Sequence, residues 1–133
     1  RRPWTSDFRA WGAAGRVGYR VASGGTVVME TLFPGTEHEM ISMYHLDRGE
    51  LVLTHYCAMG NQPRMRLDVG RSTPAHLTFE FTGGTNLDPG KDAHIHSGSI
   101  EIVDADHLRS RWAYYDGGQE KGAHTFELAR QRK

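Results

Sequence analysis

From Arg16 to Arg130 the chain alternates apolar and polar residues with a period of two, in nine successive stretches. They are residues 16–22, 25–33, 38–46, 50–58, 63–69, 75–82, 93–104, 107–115 and 122–130. Successive side chains of a β-strand point to opposite faces, so this period predicts extended segments. Their wealth of Val, Ile, Thr, Tyr and Phe agrees with that. Turn chemistry falls between them: Ser23-Gly24-Gly25, Asp47-Arg48-Gly49, Asp116-Gly117-Gly118 and the longer "TGGTNLDPGKD" of residues 82–92. After residue 15 nothing holds a helical pattern for three turns. Only "PWTSDFRAW", Pro3–Trp11, is expected to start as a short helix, capped by Thr5 or Ser6.

Short strands joined by tight turns, with no helix to cover a sheet face, predict an antiparallel meander that closes on itself and so removes its edges. The expected fold is all-β, an up-and-down barrel of about nine strands whose interior takes packed side chains or one small ligand. The 133 residues are expected to form a single domain. A chain of that size buries roughly two-thirds of its unfolded surface, so it needs no staples. Lys+Arg and Asp+Glu number 16 each, and no net field favours nucleic acid or an anionic membrane. No run reaches the roughly 20 apolar residues of a membrane-spanning helix. The lone cysteine excludes an internal disulfide. A chain opening on Arg1 rather than Met is expected where a leader or tag has been removed.

Alternation also assigns faces. Leu51, Leu53, His55 and Cys57 share one face, and Leu77, Phe79 and Phe81 another. Ile100 and Ile102 carry the inner phase back to His96 and His94, provided no bulge near Gly98 shifts it. His124 joins Phe126 and Leu128. Three strands therefore aim imidazoles at the interior. Glu30, out of phase with Val27 and Met29, is expected in solvent; turned inward, it would need Arg64 or a histidine as partner.

The stretch "LTHYCAMGNQPRM", Leu53–Met65, with the upstream "HEMISMYHLD" and the closing "HTFELAR", resembles a family of small bacterial lipocalin-like (calycin-type) proteins of unassigned function. The resemblance covers roughly Gly15 to Arg130. It implies the same barrel fold and, because members often carry a signal peptide, an exported or periplasmic location, with a cytoplasmic one as the alternative. It implies no reaction.

The inner face of residues 51–57 changes from leucine to His55 and Cys57 toward the "AMGNQPRM" turn. Apolar walls with a few placed polar groups are what a ligand pocket needs. The expected site is a cavity lined by His55, Cys57, Met65, Phe79, His96 and Trp112, with Asn61, Gln62 and Arg64 near its rim. The bland alternative makes Asn61 and Gln62 ordinary turn residues and Cys57 a small buried hydrophobe. Trp4, Trp11 and Trp112 then serve as core or as plugs at a barrel end. A second reading takes His55, His94, His96 and His124 as ligands of zinc or as contacts of haem, with Cys57 as a further donor. A third is an enzyme for a small organic substrate, with His55 and His96 as acid–base groups and Arg64 as anchor. The partner expected is a small molecule, and a homodimer is compatible with the sequence.

Overall fold

The structure, a computed structural model, describes residues 8–12 and 15–131. Ten strands follow one another: β1 (Phe8–Gly12), β2 (Gly15–Ala22), β3 (Val27–Leu32), β4 (Met40–Asp47), β5 (Glu50–Tyr56), β6 (Gln62–Leu67), β7 (His76–Thr85), β8 (His94–Asp104), β9 (His107–Asp116) and β10 (Gln119–Gln131). Each pairs antiparallel with its neighbours in the chain, and β10 pairs with β1 to close a barrel. Among the described residues the helical pieces are two three-residue 3-10 turns, Ser23–Gly25 and Val69–Arg71. None of these is long and apolar enough to cross a membrane.

The nine alternating stretches are β2 to β10. The tenth strand replaces the expected helix: Phe8–Gly12 is extended and hydrogen-bonds to both β2 and β10. Pairing on both sides outweighs a local capping signal, because an open barrel would leave two edges unpaired. Pro3 to Asp7, with Trp4, lies outside the described residues. A second difference concerns the long loop: residues 82–85 continue β7 and pair with Gln62–Arg64 of β6.

Two hairpins set the register on either side of the barrel. Arg48-Gly49 joins β4 to β5 and Gly117-Gly118 joins β9 to β10, all four residues having positive φ (51°, 85°, 65° and 79°). Two-residue loops of this hand match the right-handed twist of the flanking strands and favour glycine, which has no Cβ to clash. The up-and-down order then gathers the β3–β4, β5–β6, β7–β8 and β9–β10 connections at one end.

The interior holds Val17, Leu53, Met65, Phe79, Leu108 and Leu128, each 6% exposed or less. Phe79 stacks on Trp112 at 6.3 Å between ring centroids and meets Tyr44 edge-on at 6.0 Å. Such offset and edge-to-face arrangements are the favoured ones for aromatic pairs.

One irregularity redirects the candidate residues. The β8–β9 register slips between Ile95 and Ser97, a β-bulge at His96. An extra residue inverts the alternation beyond it. Ile95 therefore pairs with Tyr114 and takes the inner phase, and His94 and His96 do not continue the row of Ile100 and Ile102.

Candidate functional site

The site begins with register. The two-residue Arg48-Gly49 turn sets Ser42 opposite His55; β3 and β4 set Glu30 opposite Ser42, and β2 and β3 set Tyr19 opposite Glu30. Tyr19, Glu30, Ser42 and His55 thus form one row across four strands, exposed by 9%, 1%, 2% and 4%. Glu30 belongs to the inner phase, contrary to the solvated position expected for it.

Its partners are hydroxyls. Tyr19 donates to Glu30 Oε2 at 2.6 Å, and Tyr44, one inner position along β4, donates to Oε1 at 3.0 Å. Ser42, the cross-strand neighbour of Glu30, also helps to hold the carboxyl pKa down, and its Oγ lies 2.8 Å from His55 Nδ1. Burial raises the Glu30 pKa, while the hydroxyls of Tyr19, Tyr44 and Ser42 pull it partly back. Burial first, and then the negative charge of Glu30, push both tyrosines well above their ordinary values, so each remains a donor. Burial lowers the His55 pKa to about 4, which keeps the imidazole neutral near pH 7.

His55 is also one of the residues lining a cavity of about 40 Å³. Its apolar wall is Leu32, Phe33, Met40, Ile95 and Phe126, and its polar contributors are His55, Trp112 and His124. One water-sized sphere needs about 10–15 Å³, so a few non-hydrogen atoms fit. His124 is exposed and stands at the rim. Phe33, held at φ 53°, packs on Phe126 at 5.6 Å.

Trp112 is seated by an absent side chain. A Cβ at Gly98, its partner on β8, would lie 2.1 Å from the indole Cε3. Glycine lets the ring lie flat against the strand. Two buried polar atoms belonging to cavity-lining residues, His55 Nε2 and Trp112 Nε1, have no hydrogen-bond partner in the protein.

The structure gathers some of the expected residues and separates others. His55 and Trp112 line the cavity, and His124, expected to face the interior, joins them. Met65 and Phe79, each 1% exposed, sit in the packed core and not on the cavity wall. Cys57 lies just past the end of β5 in a tight loop, accepting from Gly60 N–H and donating its own N–H to Asn61 O, both at 3.0 Å. Asn61 is buried and donates from Nδ2 to Ala93 O at 2.9 Å, fastening the β5–β6 loop to the β7–β8 loop. Gln62 donates to Gly60 O and accepts from Asn86 at 3.0 Å. Arg64 is exposed, between inward Pro63 and Met65.

His94 and His96 form a separate pair. His94 is fully buried, its Nδ1 donating to Asp92 O at 2.8 Å and its Nε2 lying 2.9 Å from His96 Nδ1. The His96 ring is sandwiched between Phe81 and Tyr115, at centroid distances of 4.3 and 3.9 Å. Burial, and then proximity to His94, lower the His96 pKa. The four histidines of the metal reading thus divide into His55 with His124 and His94 with His96. Among the described residues no three of His, Cys, Asp or Glu gather as a metal site.

Fold and site together define a closed up-and-down antiparallel β-barrel with a small internal cavity, apolar on most sides and polar at His55 and Trp112. No known protein family, curated protein or solved structure matches the chain.

Proposed function

We propose that the protein binds a small, partly apolar molecule, or the head of a longer one, in the cavity between His55 and Trp112. The observation that carries this reading is the pair of unpartnered polar atoms, His55 Nε2 and Trp112 Nε1, on residues that line one otherwise apolar cavity. A buried polar group without a partner costs about 1–3 kcal/mol, so two of them at one small cavity favour an occupant that satisfies both. Ligand sites have this composition, mostly apolar walls with a few polar groups that fix orientation. Lipocalin-like barrels, which the sequence resembles, hold ligands in the same interior position, and that agreement supports the reading at the level of architecture.

Size limits the ligand. Pockets for drug-sized molecules measure about 300–1,000 Å³, far above this cavity, and a porphyrin does not fit within it. The neutral imidazole serves as a hydrogen-bonding group and not as a cation. Small organic fragments, screened at millimolar concentration by ligand-detected NMR, are expected to bind the wild type. Trp112→Phe, which keeps an aromatic ring and drops the N–H, is expected to weaken binding about tenfold with an unchanged circular dichroism spectrum. If no fragment binds, or binding is indifferent to both Trp112→Phe and His55→Phe, the reading fails and the two atoms are served by ordered water.

A further inference from the structure

We propose that the cavity selects a ligand head bearing a hydroxyl group, which donates its O–H to His55 Nε2 and accepts from the indole N–H of Trp112. This inference rests on the binding function just described and adds the chemical class.

The donor side is fixed by covalent chemistry, since an indole nitrogen only donates. The acceptor side follows from the buried row. A neutral imidazole carries one N–H and one lone pair, and the partner of one nitrogen determines the role of the other. His55 Nδ1 faces Ser42 Oγ at 2.8 Å, and the Ser42 hydroxyl has a single proton to give. That hydroxyl stands across the β3–β4 pair from Glu30, whose two oxygens already accept from Tyr19 at 2.6 Å and Tyr44 at 3.0 Å. A carboxylate is purely an acceptor, with about four lone-pair sites, so a third hydroxyl donor suits it. With the Ser42 proton directed to Glu30, the Ser42 oxygen accepts from His55 Nδ1–H. Nε2 then presents a bare lone pair.

One acceptor and one donor therefore remain for the ligand. A hydroxyl serves both at once. A ketone or an ether satisfies the indole alone and leaves Nε2 buried and unpaired. An ammonium offers nothing to the indole and carries charge into an apolar cavity. The other titratable residue lining the cavity is His124, across it on β10 and exposed at the rim; Tyr19 on β2 and Tyr44 on β4 face the row through Glu30. A proton held on Glu30 and passed toward Ser42 would reverse the chain, give Nε2–H, and make the cavity a site with two donors suited to a carbonyl.

Two measurements separate these cases. Long-range proton–nitrogen NMR on the wild type reads the His55 tautomer without any ligand, and protonated Nδ1 with unprotonated Nε2 is expected. Titrations with 1-butanol, 2-butanone and methyl propyl ether are then followed at the Trp112 indole N–H resonance, assigned through Trp112→Phe. The alcohol is expected to bind about tenfold more tightly than the ketone or the ether. In Ser42→Ala, where Nδ1 is no longer held, that preference is expected to collapse while all three molecules still bind. Protonated Nε2, or a preference for the ketone, overturns the hydroxyl assignment and leaves the binding function standing. Failure of all three probes to bind overturns both.

Discussion

His55 carries the clearest consequence at the scale of single residues. Burial takes its pKa down to about 4, so between that value and the ordinary one near 6.5 the unfolded chain binds a proton that the folded chain refuses. Stability is therefore full above about pH 6.5, falls as pH drops through that window, and levels off below about pH 4, a loss of about 3 kcal/mol. Glu30 acts with the opposite sign, because its raised pKa contributes stability at low pH that is lost as pH rises through the folded value. Urea unfolding at pH 7 and 4.5 of wild type and His55→Phe isolates the histidine, since the contribution of Glu30 is common to both. The wild type is expected to lose about 2–3 kcal/mol more than the variant over that interval. Equal losses would contradict a buried neutral imidazole. His55 could be read from the sequence because it continues the phase of Leu51 and Leu53. Its partner Ser42 was also within reach, since counting back from a two-residue turn pairs them. Glu30 was not, because a charged residue defaults to solvent, and only the β3 register turns it inward to meet Tyr19, Tyr44 and Ser42.

Within single elements, strand β8 shows where alternation stops being a guide. Its eleven residues read as one strand, yet the slip between Ile95 and Ser97 inverts the phase of its first part. Ile95 enters the cavity wall, and His94 and His96 turn to each other and to Phe81 and Tyr115. A bulge is one extra residue on one strand and leaves no compositional trace in a single chain, so the convergence of three inward histidines that the pattern suggested becomes two. Leu32, Phe33 and Met40 were missed for a related reason: they flank the β3–β4 connection, where the period of two ends. Gly98 was noted only as a place for a bulge, but its function is to admit Trp112. A Cβ there would meet the indole at 2.1 Å and the Arg111 carbonyl oxygen at 2.7 Å, and a backbone atom cannot swing aside. Gly98→Ala is expected to cost about 1–3 kcal/mol and to shift the tryptophan emission as the ring leaves its seat. Unfolding at the wild-type denaturant midpoint would show that the strand pair can open to take a methyl group at no cost.

Closure is a property of the whole molecule, and it was inferred correctly from what the chain lacks: with no helix to cover a sheet face, the strands had to protect one another. The strand that completes the ring was the one not foreseen. Residues 8–12, "FRAWG", are short, follow a run that looks like a helix cap, and carry too few β-branched residues to announce a strand. Position in the ring makes them one, because Arg9, Ala10 and Trp11 pair with Gln131, Arg130 and Ala129 on one side and with Gly18, Val17 and Arg16 on the other. Without β1, the outer edges of β2 and β10 would both present free N–H and C=O groups, a template for pairing with another chain. Deleting residues 1–12 is therefore expected to lower the melting temperature by about 10 °C, as loss of a few kcal/mol does in a domain of this size. The truncated chain should also associate in a concentration-dependent way on size-exclusion chromatography, with β-rich circular dichroism retained. A truncated protein that stays monomeric and melts with the full chain would mean that β2 and β10 can close on each other, and that β1 is an accessory to the barrel and not its seam.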